Sequence, residues 1–416
     1  MGSFATSLSG LQANSQDLEV ISNNLANLNT TAYKGATANF QDLFYQQLGT
    51  SGDGNAIQVG VGTQIGSIPA DFTEGNIQST GVSTDVAIEG TGFFVGQNNG
   101  ADVYFRAGDL STLSDGTLVA PDGSDVLGFP AVNGVINPSS TPGPLTIQTG
   151  AISPPVATTN AEITMNLDSG TPVGGTFSTA LTVYDSLGTA QVLTYNFTNT
   201  APLKWNYSIT IPAADVGGAA GAAPVVVKAG TMTFSGTGQL LTPATDVTAI
   251  PIAGLADGAS TLTFNWNLYA PGPGGAGLIT QDAAASSAST TQQDGNPSGS
   301  LVSFAIGSDG TIEGTFSNGQ TQALGQILLA SFPNQEGLSR VGSNEFQSTL
   351  SSGAANIGVA GTGGRGTISG GALEASNVDI STQFANLIVA ESGYQANAKV
   401  VTTLDTVIQD TISLIQ

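Results

Sequence analysis

The residue types that carry most enzyme chemistry are scarce in this sequence. Its 416 residues include no cysteine and no histidine, which excludes thiolate nucleophiles, histidine-based catalytic triads and zinc fingers. Carboxylates remain, because Asp and Glu together number 30. A carboxylate pair can hydrolyse a glycosidic bond, but only when the fold holds the two groups at a defined separation. No motif brings two acids together, so we predict no catalytic residue.

Two short motifs have residues that could bind a ligand, and both are better explained as turns. GTGGRG at 361–366 matches the glycine fingerprint of dinucleotide-binding folds only in part, and no clear strand–helix unit surrounds it. PDGSD at 121–125 offers oxygen ligands of the calcium type but lacks the complete ligand loop, which favours a hairpin turn. We therefore predict no cofactor and no metal.

The charge balance is strongly acidic. Lys and Arg number only 7, and the formal net charge at pH 7 is −23. These few basic residues are scattered, so they cannot form the patch that nucleic acids or anionic membrane surfaces require. No apolar run reaches the length needed to cross a bilayer. We predict neither a nucleic-acid partner nor membrane insertion.

The N-terminal residues lack the pattern of a secretory signal. MGSFATSLSGLQANSQDLEV (1–20) has neither a basic start nor a continuous apolar core. If the protein leaves the cell, we expect a route without a cleaved signal peptide.

The longest helical pattern lies at the end of the chain. Apolar or small residues recur there in steps of 4-3-7-4-3-7-4-3, the heptad spacing of a coiled coil. They are Ile380, Phe384, Leu387, Tyr394, Ala398, Val401, Ile408, Ile412 and Ile415. Ser376 and Asp379 have the spacing of a capping box, which predicts that the helix begins at Ser376.

The first residues carry a matching pattern. Steps of 4-3-4-3-4-3 join Phe4, Leu8, Leu11, Ser15, Leu18, Ser22 and Leu25. They predict a helix over about residues 3–28, ended by the turn-forming residues of NLNTT.

Both helices carry few charges, and their remaining positions are mostly Ser, Thr, Asn and Gln. Such groups can be buried when they are hydrogen-bonded, whereas a buried charge is costly. Two interpretations remain open: an ordinary helix pair within one chain, or helices that also pack on other copies. The candidate self-assembly seam consists of Phe4, Leu8, Leu11, Leu18, Leu25, Ile380, Phe384, Leu387, Tyr394, Val401, Ile408 and Ile412.

The middle of the chain alternates apolar and polar residues with period two. LTYNF (193–197), WNYSITI (205–211) and LTFNWNL (262–268) each place their apolar residues on one face, which indicates an antiparallel sandwich or barrel. The predicted fold class is mainly β, with N- and C-terminal α-helices pairing as a coiled coil and with nested, discontinuous domains.

We predict four parts, of which three are split in sequence. They are a helical domain (1–30 and 372–416), a connector (31–72 and 361–371), a β-rich domain (73–146 and 297–360) and an outer β domain (147–296).

Three stretches together resemble one family. SGLQANSQDLEVISNNLANLNTTAYKGATANFQDL (9–43) and FTEGNIQSTGVSTDVAIEGTGFFV (72–95) are similar to the N-terminal segments of flagellar rod and hook proteins. GALEASNVDISTQFANLIVAESGYQANAKVVTTLDTVIQ (371–409) resembles the C-terminal segment of that family. The large β-rich middle points to its hook branch. Two departures stand out: Ala32 occupies a position where the family usually has glycine, and Glu391-Ser392 one where a basic residue is common.

The resemblance implies a structural role and no enzyme activity. Hook proteins polymerise outside the cell into a curved tube that transmits torque from rod to filament, with the terminal helices as the inner tube. The implied partners are further copies of the chain, the distal rod protein, the hook cap protein, the hook–filament junction protein and the flagellar type III export apparatus. The alternative is another extracellular structural protein, such as an adhesin or a phage-tail-like fibre.

Overall fold

The computed structural model describes residues 2–51, 56–148, 150–272 and 274–413. Helix α1 covers Gly2–Ala26 and helix α2 covers Ile380–Ser413. All the strands lie between them, so the fold is mainly β with one helix at each end, as predicted. Ile415, the last residue of the predicted C-terminal pattern, lies outside the described residues.

Helix α2 begins four residues later than the sequence predicted. Asp379, not Ser376, caps its first turn, because the Oδ1 of Asp379 accepts a 2.7 Å hydrogen bond from the backbone N–H of Thr382. This contact satisfies a backbone donor that a helix N-terminus leaves free. The same bond holds the pKa of Asp379 below its usual value. Ser376 instead accepts a hydrogen bond from the N–H of Val378.

The described residues between the helices form 32 strands, most of them short. The early strands are β1 (Asn39–Asp42), β2 (Tyr45–Thr50), β3 (Ala56–Gly60), β4 (Thr63–Ser67), β5 (Ile77–Ser79), β6 (Val86–Glu89), β7 (Phe93–Asn98), β8 (Ala101–Phe105), β9 (Ser111–Thr112), β10 (Leu118–Val119), β11 (Asp125–Val132), β12 (Val135–Ile136) and β13 (Gly143–Pro144). The middle strands are β14 (Ile152–Ser153), β15 (Asn160–Asn166), β16 (Thr176–Tyr184), β17 (Ala190–Ala201), β18 (Lys204–Ile211), β19 (Val225–Phe234), β20 (Leu240–Thr242), β21 (Val247–Ile252), β22 (Leu262–Asn267), β23 (Ile279–Thr280), β24 (Ser287–Gln293) and β25 (Gly299–Ile306). The late strands are β26 (Thr311–Phe316), β27 (Thr321–Ser331), β28 (Ser339–Gly342), β29 (Glu345–Gln347), β30 (Asn356–Val359), β31 (Thr367–Gly370) and β32 (Ala372–Glu374).

The chain divides into two compact units, and both are discontinuous in sequence. The first unit comprises residues 1–149, 303–314 and 321–416, and the second comprises 150–302 and 315–320. The chain therefore leaves the first unit, builds the second and returns, which is the nested arrangement that the sequence predicted.

The first unit contains a sheet in which β27, β11, β7, β8, β29 and β28 lie side by side. These neighbours are antiparallel. Aromatic rings fill the core on one face: Tyr104 and Phe332 meet edge to face with centroids 4.8 Å apart, and Phe93 lies 5.8 Å from Phe332. Such pairs have a preferred ring geometry and stabilise the core beyond the burial of apolar area. They therefore stabilise the sheet to which the neighbouring segments are attached.

Early and late strands pair before the chain enters α2. Strand β6 pairs with β31 and strand β5 pairs with β32, both antiparallel. These pairings bring the start of α2 back beside the residues that follow α1.

A two-stranded antiparallel ribbon follows α1 in sequence. It consists of β1 paired with β4 and β2 paired with β3. The ribbon lies against α1, because the backbone N–H of Thr63 donates a 3.2 Å hydrogen bond to the Oγ of Ser9.

The second unit is built from two five-stranded sheets that enclose one apolar core. The period-two pattern is confirmed, since Trp205, Tyr207, Ile209 and Ile211 are all buried. One sheet, with the order β16-β17-β18-β19-β20, is antiparallel throughout. The other is mixed, because β15 runs parallel to β22 and β23.

Candidate assembly interface

The two terminal helices pack against each other in antiparallel orientation. Near one end of the pair, a Cβ atom added to Gly10 would lie 2.8 Å from the Oδ1 of Asn397. Towards the other end, the Nδ2 of Asn24 donates a 3.2 Å hydrogen bond to the Oε1 of Gln383. The predicted pairing of the N- and C-terminal helices is therefore present in the single chain.

Two glycine–asparagine pairs hold the helices close together. Asn14 donates a 2.7 Å hydrogen bond to the carbonyl of Gly10, one turn earlier in α1. Asn397 does the same to the carbonyl of Gly393 in α2, at 2.8 Å. Each amide is thereby fixed on its own helix and lies over the glycine of the other helix. Glycine permits this close backbone approach because it has no side chain.

The face of α1 that contacts α2 is built from small and polar residues, not from the predicted leucines. Along this face Ser7, Gly10, Asn14, Asp17, Ile21 and Asn24 recur in steps of 3-4-3-4-3. Ser7, Gly10, Ile21 and Asn24 are buried, and burial raises the pKa of Asp17. The heptad spacing of these residues is present in the sequence. An apolar heptad pattern does not include them, because most of them are polar.

Asn24 is the most extensively bonded residue of this face. Its side chain is 2% exposed. Its Nδ2 donates to the carbonyl of Ala36 at 2.7 Å, and its Oδ1 accepts from the N–H of Ala36 at 3.0 Å. Together with the bond to Gln383, these contacts join α1, the segment after it and α2 at one point.

The matching face of α2 includes three of the predicted seam residues. Gln383, Leu387, Ala390, Tyr394, Asn397, Val401 and Leu404 recur in steps of 4-3-4-3-4-3. Ala390 is buried and the others are half-buried. Leu387, Tyr394 and Val401 therefore lie on the face that α1 covers.

The remaining seam candidates lie outside this contact or at its border. Leu11, Leu18 and Leu25 are half-buried on α1. The following six are exposed: Phe4, Leu8, Ile380, Phe384, Ile408 and Ile412. Of these six, Phe4 and Leu8 lie on α1. The other four lie on the outer surface of α2, together with the exposed apolar side chains of Ile388, Val389, Val400 and Val407.

The end of α2 extends beyond α1. The residue numbers of each facing pair, Gly10 with Asn397 and Asn24 with Gln383, add to 407. This sum stays constant along an antiparallel pair of helices. Gly2, at the start of α1, therefore lies opposite Asp405 of α2. Val407, Ile408 and Ile412 follow that point and are more than half exposed.

The ribbon of β1–β4 adds further exposed apolar area. Phe44 is 90% exposed and Leu48 is 63% exposed. Soluble single chains rarely leave this much apolar surface clustered in the open. The helices and the ribbon together form the candidate assembly interface.

Four protein-family models match the chain in order. The flagella basal body rod protein model matches residues 4–34 and the flagellar hook protein FlgE/F/G D1 domain model matches 87–166. The flagellar basal body protein FlaE D2 domain model matches 155–296, and the flagellar basal body rod FlgEFG protein C-terminal model matches 369–414.

Curated relatives match over nearly the whole length. The flagellar hook protein FlgE of Escherichia coli K12 is 36% identical, with 99% of this chain and 99% of that protein covered. The FlgE of Salmonella typhimurium is 35% identical, with 99% and 100% covered, and that of Treponema pallidum is 35% identical, with 100% and 99% covered. The chain belongs to the flagellar hook protein family. It is a structural protein of the bacterial flagellum that serves motility, and it is not an enzyme.

Solved structures agree with this assignment at the level of the fold. The crystal structure of Helicobacter pylori flagellar hook protein FlgE2 aligns with a TM-score of 0.50 at 14% identity, covering 70% of this chain and 98% of that one. Nothing found in the comparisons favours the adhesin or phage-tail alternative. None of the described helices combines the length and the apolarity that a membrane span needs.

The stretch TAYKG (31–35), which lies within the segment similar to hook proteins, contains a lysine that is fully buried. The Nζ of Lys34 lies 2.6 Å from the Oε1 of Glu374, and it also donates to the carbonyl of Thr73 at 2.7 Å. Arg106 approaches the other carboxylate oxygen at 3.7 Å. Burial lowers the pKa of Lys34, with the Arg106 charge acting in the same direction and Glu374 opposing it. Segments from both ends of the chain are thus joined by one carboxylate.

Ala32, the departure from the usual hook-family glycine, adopts a glycine-like backbone. Its φ is 51°, in the left-handed region that residues other than glycine usually avoid. Its N–H donates a 2.8 Å hydrogen bond to the carbonyl of Glu374, and its side chain is buried. A left-handed backbone at this position is the conformation that glycine adopts most readily.

Proposed function

We propose that this chain polymerises through its terminal helices into the tubular hook, which joins rod to filament and transmits motor torque. The observation that carries the proposal is the apolar surface that the helix pair leaves open. Phe384, Ile388 and Val389 are each more than half exposed, although α1 covers the opposite face of the same helix. Family membership supports the same function.

The stability of a polymer depends on the repetition of the same contact in every copy. Burying an exposed Phe or Leu side chain contributes about 1.5–3 kcal/mol. The outer surface of α2 and the overhang after Asp405 together offer several such residues in each chain. In a helical polymer the same contact recurs in every copy, so modest single contacts produce a stable tube.

The scarcity of charge on the helices supports close packing on several sides. Asp17 and Glu19 are the only charged residues that α1 carries, and Lys399 is the only basic residue of α2. Hydroxyl and amide groups can be buried against neighbouring copies if they form hydrogen bonds, whereas isolated charges cannot.

We propose the four-part division as the organisation of the polymer. Residues 1–30 and 372–416 form the inner tube, 31–72 and 361–371 connect it outward, and 73–146 with 297–360 form a β-rich layer. Residues 147–296 form an outer domain. The separate apolar cores of the two units support this division.

The hook assignment also implies specific partners. We propose the distal rod protein at one end of the polymer, and the hook cap protein and then the hook–filament junction protein at the other. Subunits travel to the cell exterior through the flagellar export apparatus. These partners rest on the family resemblance alone.

The experiment compares assembly with single-chain stability for Phe384→Ala. Assembly is measured by sedimentation and by negative-stain imaging, and single-chain stability by thermal melting. We expect tubes from the unaltered chain and a large loss of assembly in the variant. Melting should be nearly unchanged, because Phe384 is exposed in the single chain.

Val192→Ala is the matched control. Val192 is an apolar residue of the second unit with 43% of its surface exposed, and it lies far in sequence from either helix. Val192→Ala should alter neither assembly nor the melting temperature. If Phe384→Ala instead lowers melting and assembly in proportion, the helix face belongs to the core of the single chain and the proposal is wrong.

A further inference from the structure

Three polar side chains from two distant segments of the first unit meet at the β28–β29 hairpin. The Oγ of Ser124 lies 2.7 Å from the Oδ1 of Asp122 and 3.0 Å from the Oε1 of Glu345. Ser124 is 1% exposed and Glu345 is 7% exposed. Ser124 and Glu345 are separated by 221 residues in sequence. The carboxyls of the buried Glu345 and the half-buried Asp122 thus share one hydroxyl, and the Oδ1 of Asp122 also accepts from the backbone N–H of Ser124 at 3.2 Å.

The short oxygen–oxygen distances in this cluster favour an additional proton. A serine hydroxyl carries one hydrogen and can donate to one oxygen only. If both carboxyls are ionised, the hydroxyl satisfies one of them and faces the lone pairs of the other. A proton on one carboxyl removes that conflict, since a protonated carboxyl is itself a donor. Two close carboxylates also generally retain a proton because their like charges repel.

Local electrostatics assign that proton to Glu345. Burial and the hydrogen bond to Asp122 raise the pKa of Glu345 to about 7. Burial also acts to raise the pKa of Asp122, but hydrogen bonds with Glu345 and Ser124 outweigh it and leave that pKa below its usual value. Below about pH 7, Glu345 is therefore the donor and Asp122 the acceptor.

The other charged or titratable groups on the neighbouring elements do not neutralise Glu345. They are Asp102 and Tyr104 on β8, Arg340 on β28, Asp125 at the start of β11 and Asp109 after β8. The guanidinium of Arg340 is directed to the carbonyl of Lys34 and lies over the Tyr33 ring. Among the described residues, no cation lies within ion-pair distance of Glu345.

The β28–β29 hairpin holds the segment that follows α1. The Nδ2 of Asn344 donates a 3.1 Å hydrogen bond to the carbonyl of Thr31. Arg340 donates to the carbonyl of Lys34 at 2.6 Å, and its guanidinium lies 5.7 Å from the centre of the Tyr33 ring. Any change that loosens the hairpin therefore loosens residues 31–35, which lead directly from the helix.

We propose that Asp122, Ser124 and Glu345 form a proton-binding switch that sets how firmly the β28–β29 hairpin holds residues 31–35. With a proton on Glu345, the cluster is fully hydrogen-bonded and fastens the hairpin to the turn before β11. Loss of the proton places a negative charge on the buried Glu345 beside that of Asp122. The hairpin then opens more often, and the segment after α1 gains freedom to move.

The direction of the pH effect follows from proton linkage. Glu345 binds its proton more tightly in the closed hairpin than in an opened one, where its pKa returns to the ordinary 4.5. The stabilisation is therefore complete below pH 4.5 and is lost as the pH rises through about 7. The pKa of Glu345 is 4.5 in the opened hairpin and about 7 in the closed one. By proton linkage, this difference increases hairpin opening about 30-fold from about pH 5.5 to about pH 8.

Hydrogen exchange of the full-length chain tests the switch. Exchange is followed in peptides that cover 339–347 and 28–35, after correction for the intrinsic effect of pH on exchange. In the unaltered chain we expect opening to rise on the order of 30-fold between the two pH values. Glu345→Gln keeps the shape of the side chain and an N–H donor towards Asp122 at every pH. Between the same two pH values, hairpin opening in Glu345→Gln should change less than about threefold, because the titrating group has been removed.

Glu313→Gln is the matched control, because Glu313 is an exposed residue on β26. It should show the same pH dependence as the unaltered chain. The same pH response in the unaltered chain and in Glu345→Gln would overturn the proposal. If Glu345→Gln does not fold, carbon-13 NMR of carboxyl-labelled glutamate in the unaltered chain gives the answer. A glutamate that titrates near neutral pH supports the switch, and its absence refutes it.

Discussion

The side chain of Asn14 on α1 lies directly over Gly393 on α2, so that a Cβ atom at position 393 would stand 2.6 Å from the Oδ1 of Asn14. Gly10 and Asn397 repeat this relationship with the roles of the helices exchanged. The two contacts fix both the separation and the register of the antiparallel pair. They also require no apolar residue, which distinguishes this contact from a leucine seam.

Gly393→Ala should weaken the helix pair. Forcing an atom into a filled contact costs about 1–3 kcal/mol, which exceeds the gain of about 1 kcal/mol that alanine gives a helix over glycine. Asn14 cannot turn away freely, because it is hydrogen-bonded to the carbonyl of Gly10. Faster hydrogen exchange throughout α1 would be the expected result.

The double variant Gly393→Ala with Asn14→Ala provides the control. Removing the amide makes room for the new methyl group, so the pair should regain most of its protection. If Gly393→Ala alone slows exchange, helix propensity dominates and the close contact is not what fixes the pair.

Ala32→Gly should stabilise the first unit. An L-residue in the left-handed region costs about 1–2 kcal/mol relative to the ordinary region, and the greater flexibility of glycine in the unfolded chain returns about 0.4–1 kcal/mol of that. We expect a net gain of about 0.5–1 kcal/mol in the free energy of unfolding. Urea unfolding monitored by hydrogen exchange in peptides of the first unit measures it.

Ala38→Gly tests whether that gain is specific to the backbone conformation. Ala38 is buried like Ala32, but its φ is not among the positive values. The same substitution there should destabilise by about 0.5–1 kcal/mol through backbone entropy. Stabilisation at both positions, or at neither, would contradict the explanation for Ala32.

Lys34→Met should strongly destabilise the first unit and leave the second unchanged. Removing one partner of a buried ion pair costs about 3–5 kcal/mol, because the remaining charge is left buried. Both tryptophans, Trp205 and Trp266, lie in the core of the second unit. Tryptophan fluorescence therefore reports the second unit, while hydrogen exchange of residues 86–105 reports the first.

Lys204→Met is the control for the loss of a lysine. Lys204 is exposed, and exposed substitutions of this kind usually change stability by less than about 0.5 kcal/mol. A shift of the tryptophan transition in Lys34→Met would show that the two units do not unfold independently.

Assembly should be easier at moderate salt than at very low salt. The net charge is −23, and two of the seven basic residues, Lys34 and Arg106, are buried in the ion cluster. Like-charged copies therefore repel, and salt screens this repulsion over about 10 Å at 0.1 M. Sedimentation yield measured across salt concentrations should rise and then level off. A yield independent of salt would place the acids away from neighbouring copies.

The period-two strands of the second unit could be predicted from the sequence because alternation is a local pattern. Each strand has its apolar residues on one side, and any sheet must bury that side. Trp205 and Ile209 are buried for this reason. The parallel run of β15 beside β22 could not be predicted, because strand order depends on which distant segments meet.

The sequence by itself determined that two terminal helices flank a β-rich middle, since heptad and period-two spacing are properties of short segments. Tertiary structure alone decided which face of α1 meets α2. The leucines offered the stronger apolar signal, yet glycines at positions 10 and 393 let the two backbones approach on the other face. Tertiary structure also placed Glu345 beside Asp122. A proton shared by two carboxyls depends on distances of a few ångströms, and the 222 residues between Asp122 and Glu345 carry no local signal of that approach.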